Sequence, residues 1–298
     1  MTPGATARAV LSNRKAAAGA ALVGAIALAA LTGPIWTQDP EAFAAIPLSP
    51  PSSAHWMGTT GQGQDVLAQT VIGARLTLAV GFVTGALVVT VGALIGGAAG
   101  YLGGRADDLL SLLMNVFLVL PGLPLMVVLA AWLPPGPATM CAVLVLTGWA
   151  WNARVIRAQT LSLRGRDFVA AAVVSGEPAW RIVAFEILPN MVSLLASSFI
   201  GATVYAIGAQ VGLEFLGLGD LGAVTWGTNL YWASNDSALL TGSWWTFVPT
   251  GLGVALVGFG LTMINFGIDE VTNPRLAAAR AQDRGPGVQP TPVLRRAR

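Results

Sequence analysis

The sequence predicts an all-α, polytopic membrane protein with six transmembrane helices, and three observations predict it. Of its 298 residues, 54% are hydrophobic and only 10% are charged, with a mean hydropathy of +0.68. A soluble domain carries about 25% charged residues because its surface must be hydrated. Secondly, uncharged runs recur that are long enough to cross about 30 Å of hydrocarbon, which takes roughly 20 helical residues. Thirdly, the basic residues segregate onto alternate connecting segments, as orientation in a bilayer demands. A disordered chain is excluded, since it would need low hydrophobicity and high net charge.

The same composition excludes several chemistries. One cysteine, Cys141, forbids a disulfide framework, and one histidine, His55, leaves no His/Cys cluster for zinc. Lys15 is the only lysine and is followed by Ala16, so no Gly-Lys-Ser/Thr loop exists to cradle a nucleotide's phosphates. Any energy used must come from another chain or from an ion gradient. A formal charge of +2 gives no reason to expect a nucleic-acid partner.

The first span runs from Ala16 to about Trp36, behind Arg14 and Lys15. Those basic residues, with Ala42-Phe43-Ala44 further on, also resemble the flanks of a cleaved signal peptide. The run exceeds the roughly 7–15 residues of a signal core, which favours a retained helix. The second span lies within Leu76–Gly104. The third uncharged run, Leu109–Ala153, must hold two helices, broken at Pro134-Pro135-Gly136-Pro137, because proline cannot continue a helix. A fifth span fits Met191 to about Leu213 and a sixth about Thr246 to Ile268.

With the N-terminus inside, the inner segments hold 15 of the 16 basic residues, and only Arg75 falls outside. The outer segments carry Asp39, Glu41, Asp65, Glu214, Asp220 and Asp236. The expectation is therefore that both termini are cytoplasmic. Residues 1–15 form the cytoplasmic N-terminus and 16–276 the membrane domain, with a long inner loop over 154–190. Residues 277–298, rich in arginine, proline and glycine, read as a flexible cytoplasmic tail.

The inner loop is too apolar for a plain linker. Arg166–Val174 favours a short helix with three central alanines. Gly176 stops it, and Glu177-Pro178 suits the start of a second helix, predicted over Ala179–Leu188 and ending before Pro189-Asn190. Phe168, Trp180 and Phe185 are its candidate apolar knobs. Physics leaves two readings open: a hairpin lying on the membrane surface, or one that docks a soluble partner through a helix-in-groove contact.

Ala170-Ala171-Ala172, then Gly176, then Ile187-Leu188-Pro189-Asn190 resembles the "EAA" loop of ABC-transporter permeases. Gly58-Thr59-Thr60-Gly61-Gln62-Gly63-Gln64-Asp65-Val66-Leu67, with Gly73-Ala74-Arg75 after it, resembles the segment before the second helix of dipeptide/oligopeptide/nickel permeases of the second, or C, type. Gly100-Tyr101-Leu102-Gly103-Gly104 with Asp107, Phe215-Leu216-Gly217-Leu218-Gly219, Trp226-Gly227 and Asn273-Pro274-Arg275-Leu276 follow in that family's order. The resemblance covers roughly residues 58–276. It implies a type I importer permease in the bacterial inner membrane, without catalytic residues or a cofactor of its own. Implied partners, besides the lipid bilayer, are a second permease, one or two ATP-binding subunits that hold the ATP, and an extracytoplasmic solute-binding protein. The residues it implies for ATPase coupling are Phe168, Ala170, Ala171, Gly176, Pro178, Trp180, Ile187, Leu188 and Pro189. Two departures stand out: Ala170 replaces the glutamate that names the loop, and Glu214 stands where the family has a small polar residue.

Asn115 and Glu214 are candidates for lining the pathway, since intramembrane polar groups tend to face a bundle interior. The plainer reading of Glu214 is that it marks the water boundary, and of Asn115 that it joins helices. Asn152 and Asn229 fall near interfaces. Gly92, Gly96, Gly97 and Gly100 have the spacing of close helix packing. Trp226, Trp232, Trp244 and Trp245 read as an interfacial belt, or as a stacking surface for a sugar-like substrate such as an oligosaccharide or for a docked binding protein. His55 is expected to be exposed.

Rival functions fit less well. An ion-coupled transporter places ionisable groups at mid-membrane, and runs 16–36, 76–104 and 109–153 offer none for that role. An intramembrane hydrolase needs an acid/base pair or a metal. A structural anchor has no use for a long glycine-hinged loop.

Overall fold

The computed structural model describes residues 13–43 and 45–272. Arg8, the motif Asn273-Pro274-Arg275-Leu276 and the tail expected from 277 lie outside the described residues. Helix α1 (Arg14–Trp36) starts at Asn13, whose side chain accepts the Lys15 N–H at 2.9 Å. Helix α2 (Val66–Leu102) is the longest among the described residues, and starts ten residues before the expected Leu76. Its N-cap is Asp65, which accepts the Ala68 N–H at 2.8 Å and so satisfies a donor that the helix start leaves open. The remaining spans are α3 (Gly104–Val119) with α4 (Gly122–Trp132), α5 (Pro137–Arg164), α8 (Val192–Phe215) and α11 (Val248–Thr272). Five helices, with the α3–α4 pair as a sixth, are long and apolar enough to cross a membrane among the described residues.

Two boundaries correct the sequence reading. The predicted break at 134–137 is present, yet the chain also breaks at Leu120-Pro121, where α3 and α4 meet at 84°. Pro121 lacks the N–H that would continue α3, and the residue before a proline is pushed out of helical geometry; Leu120 is indeed extended, with ψ of 134°. The inner loop is also shorter than 154–190, because α5 continues to Arg164. Arg157 is thus helical, and it holds Asp107 at the start of α3 with two hydrogen bonds of 2.5 and 2.6 Å.

Without a hydrophobic force between helices in lipid, close van der Waals packing must hold the bundle. Helix α2 supplies it on two sides. A Cβ at Gly96 would fall 2.2 Å from the Ala153 carbonyl oxygen of α5, and one at Gly100 2.7 Å from Thr160 Cβ. On the other side, a Cβ at Gly85 would fall 2.3 Å from Thr203 Oγ1 of α8. Helix α1 joins through Gly19, against the Gly260 carbonyl of α11. It packs as an integral span.

The spans alternate, so the bundle has two distinct ends. One gathers residues 103–104, 165–191 and the Lys15–Glu270 contact at 3.5 Å. The other is a cap built from 37–65 and 216–247, including α9 (Trp226–Asn235) and the short α10 (Ala238–Thr241). Several of its polar groups are sealed inward. Trp226 is 1% exposed and donates from Nε1 to the Thr70 carbonyl at 2.8 Å. Trp245 donates to Thr59, Trp232 to Leu221 and Asn229 to Gln69. The tryptophans were expected at an interface; Trp226 is a core residue, and Trp244 is the exposed member. His55 is likewise not free: its Nδ1 lies 2.9 Å from Asp65 Oδ2, tying the 37–65 segment to the start of α2.

Candidate coupling hairpin and translocation groove

At the first end, α6 (Asp167–Val174) and α7 (Ala179–Arg181) form a hairpin around Gly176, which has φ of +79°. That left-handed conformation is open to glycine and strained for residues with a Cβ. The hairpin splits into an inner and an outer face. Val169, Ile182 and Ile187 are buried with Ile156 and Met191, and Phe168 and Leu188 pack against them. Ala170, Ala171, Gly176, Pro178, Trp180 and Pro189 face outward. Val174 is 88% exposed, Trp180 67% and Phe185 63%, and the Trp180 and Phe185 rings meet edge to face at 6.3 Å. The sequence reading took Phe168 as a knob, but it anchors the hairpin instead. Val173 and Val174 are the apolar residues it overlooked, although their place just before the glycine turn was visible.

The second hairpin helix does not end before Pro189. From α7 the chain passes through a π-helical stretch (Ile182–Ile187) and a 3-10 turn (Leu188–Met191) straight into α8. A proline within a regular helix would leave a carbonyl unpaired. The change of pitch places Pro189 in the first turn of the 3-10 segment, where its missing N–H costs little. The second arm of the hairpin therefore runs on into the fifth span.

Beside this rod lies a groove of about 560 Å³ between α3, α5 and α8, lined by Thr147, Trp151, Asn152, Ser197, Ser198 and Tyr205 among others. Beyond Tyr205 it adjoins an apolar hollow of about 460 Å³ floored by Gly208 and Gly212 and edged by Leu123 and Met126 of α4. The α8 face over Gly201, Gly208 and Gly212 is open: a Cβ at any of them would meet nothing within 4 Å. These glycines differ from those of α2, which are filled by neighbours.

Neither predicted pathway residue lines the groove. Asn115 stands exposed on α3, its Oδ1 accepting from Arg154 at 2.6 Å. Glu214 does not mark a water boundary. It is 6% exposed, accepting from Gln210 Nε2 at 3.0 Å and from Thr225 Oγ1 at 2.6 Å, and so fastens the end of α8 to the cap. No sequence signal joined its partner Thr225 to it, because the link runs across the Phe215–Gly219 turn.

Residues 89–277, which span the groove and the hairpin, match the family described as "Binding-protein-dependent transport system inner membrane component". The chain belongs to this family. Among its relatives, the dipeptide transport system permease protein DppC of Bacillus subtilis is 32% identical over 230 residues, 76% of this chain and 71% of that one. The oligopeptide transport system permease protein OppC of the same organism is 28% identical over 269 residues, 89% and 87% of the two chains. The probable D,D-dipeptide transport system permease protein DdpC of Escherichia coli is 30% identical over 244 residues, 80% of each. The six-span, all-helical architecture is the type I permease fold of this inner-membrane component family, and the chain is a non-catalytic, multi-pass permease subunit. The groove residues come from separate helices, which explains why spacing within one helix did not find Trp151, Ser197 and Tyr205 together.

Proposed function

We propose that the chain forms half of the translocation pathway of an ATP-driven peptide importer, and that the hairpin around Gly176 docks a separate ATPase subunit. Both termini are cytoplasmic in this reading, supported by the 15 of 16 basic residues on that side. The single observation that carries it is the outward apolar face of the hairpin, with Val174 at 88% exposure on the first arm and Trp180 at 67% on the second, which runs on into α8. An apolar helical face beside water marks an interaction site. Ala170, Ala171, Pro178 and Pro189 would lie in or beside that contact, while Phe168, Ile187 and Leu188 hold the hairpin to the bundle. The chain then needs no cofactor of its own, ATP being held by one or two partner subunits.

A second permease would cover the open α8 face, enclosing the groove between the two chains. Its hydroxyls, Asn152 amide and aromatic rings suit a peptide, which offers both amide groups and apolar side chains. Relatives named for dipeptides and oligopeptides support this substrate class. A solute-binding protein would deliver the solute to the cap. Trp226, 1% exposed, offers no face for stacking a sugar. ATP-driven closure of the ATPases would tilt the hairpin and α8 together, shifting the pathway between its two openings. Nucleotide can drive that shift only by binding one state better than the other.

The test is purification from the native membrane in mild detergent. Wild type is expected to bring down an ATPase and a second permease. Gly176→Pro and Ala171→Glu should lose the ATPase while keeping the permease. Recovery of the chain alone would overturn the reading.

A further inference from the structure

One face of α8 is almost bare. Ser198, Gly201, Tyr205, Gly208 and Gly212 follow one another at steps of three and four, so they share a side of the helix. Four of them carry no more than a hydroxymethyl group. Tyr205 is the exception, half-way along the stripe and 46% exposed. Of the residues that line the groove and those that line the apolar hollow, it alone belongs to both. The two spaces differ in chemistry. Thr147, Asn152, Ser197 and Ser198 give the groove hydroxyls and an amide, whereas the hollow on the cap side is walled by Leu123, Met126, Val204, Leu213 and Leu216.

The Tyr205 side chain crosses between the two. A Cβ at Gly148 of α5 would fall 3.7 Å from its Cε1, so the ring lies over a position where α5 has no side chain. Its hydroxyl donates to Met126 Sδ of α4 at 3.7 Å. One side chain from α8 thus reaches both facing walls. Neither hold is strong, since a thioether is a weak acceptor and the approach to Gly148 is an ordinary van der Waals distance. Space is free on either side along α8: a Cβ at Gly201 or Gly208 would meet nothing within 4 Å, the ring included.

We propose that Tyr205 is the specificity-determining residue of the groove: its ring sets the width of the passage between groove and hollow, and so the largest side chain that a passing peptide can carry. Pore width is one of the physical determinants of transporter selectivity. The groove, about 560 Å³, and the hollow, about 460 Å³, each lie within the roughly 300–1,000 Å³ of small-molecule sites. Either holds a small solute, and the ring between them is where size is discriminated. That the solute is a peptide rests on the importer reading, whereas the constriction does not.

Two measurements test this. The first places one cysteine in a Cys141→Ser background, in right-side-out vesicles of the native membrane. Ser198→Cys stands about 10 Å from Tyr205 on the groove side and Gly212→Cys about 10 Å away on the hollow side, at 1.5 Å per helical residue. Two impermeant methanethiosulfonates are added outside, the small trimethylammonium-ethyl reagent and a bulky fluorescein-bearing one. Relative to Gly212→Cys, Ser198→Cys is expected to disfavour the bulky reagent by at least about tenfold, the scale on which a pocket sorts side chains by size. Tyr205→Ala should remove that discrimination, and Tyr205→Phe, which keeps the ring, should retain it. The second is uptake of dialanine and ditryptophan into proteoliposomes holding the chain with its co-purified partners. Tyr205→Ala should raise ditryptophan relative to dialanine by about tenfold, with Tyr205→Phe at the wild-type ratio and both unfolding midpoints near wild type. Discrimination that survives Tyr205→Ala, labelling at Ser198→Cys that ignores reagent size, or no labelling there by either reagent even in Tyr205→Ala would overturn the proposal. The labelling needs no ATPase, so a lack of ATP-driven uptake would count against the importer reading alone.

Discussion

Gly96 shows how much of this bundle rests on single absent side chains. A Cβ there would lie 2.2 Å from the Ala153 carbonyl oxygen, a backbone atom that cannot rotate away. Gly96→Val should therefore separate α2 from α5 and cost about 1–3 kcal/mol or more, as overpacking does; a thermal unfolding midpoint in detergent well below wild type would confirm it. Gly208→Val, on the open face of α8, should leave that midpoint unchanged. At this scale the sequence was least legible. The close-packing glycines could be read because their spacing lies within one helix. The partners of Glu214, His55 and Trp226 could not, because Thr225, Asp65 and Thr70 reach them through turns and neighbouring elements.

The hairpin and the broken third span are the elements on which the account turns. The glycine stop and the alanine-rich first arm were legible, since both are local effects of backbone freedom and propensity. The continuity of the second arm with α8 was not, because a proline reads as a stop unless the pitch on either side changes to absorb it. Pro121 was overlooked for the opposite reason: hydropathy integrates over a run and does not register a bend inside it. The hairpin's energetic division gives a clean prediction. Trp180→Ala, at 67% exposure, should leave the unfolding midpoint within about 0.5 kcal/mol of wild type yet weaken ATPase association at least about tenfold, as removal of an interface aromatic does. Ile187→Ala, fully buried, should lower the midpoint by about 2–5 kcal/mol. Comparable unfolding losses in both variants would show that Trp180 serves the fold rather than a partner.

For the whole molecule, number of spans, class and the alternation of charge followed from composition and hydropathy alone, because a bilayer imposes length and orientation so strictly. Membership of the inner-membrane component family agrees with that outline. The groove is different: Trp151, Asn152, Ser197 and Tyr205 come together only when α5 and α8 pack side by side. The most direct measurement is dialanine uptake into proteoliposomes holding the chain with its co-purified partners, with and without ATP, for wild type and Gly176→Pro. Uptake that requires ATP in wild type and is lost in Gly176→Pro, with the spans still folded by circular dichroism, is the predicted result. Uptake that proceeds without ATP on an ion gradient, and is indifferent to Gly176→Pro, would contradict the account.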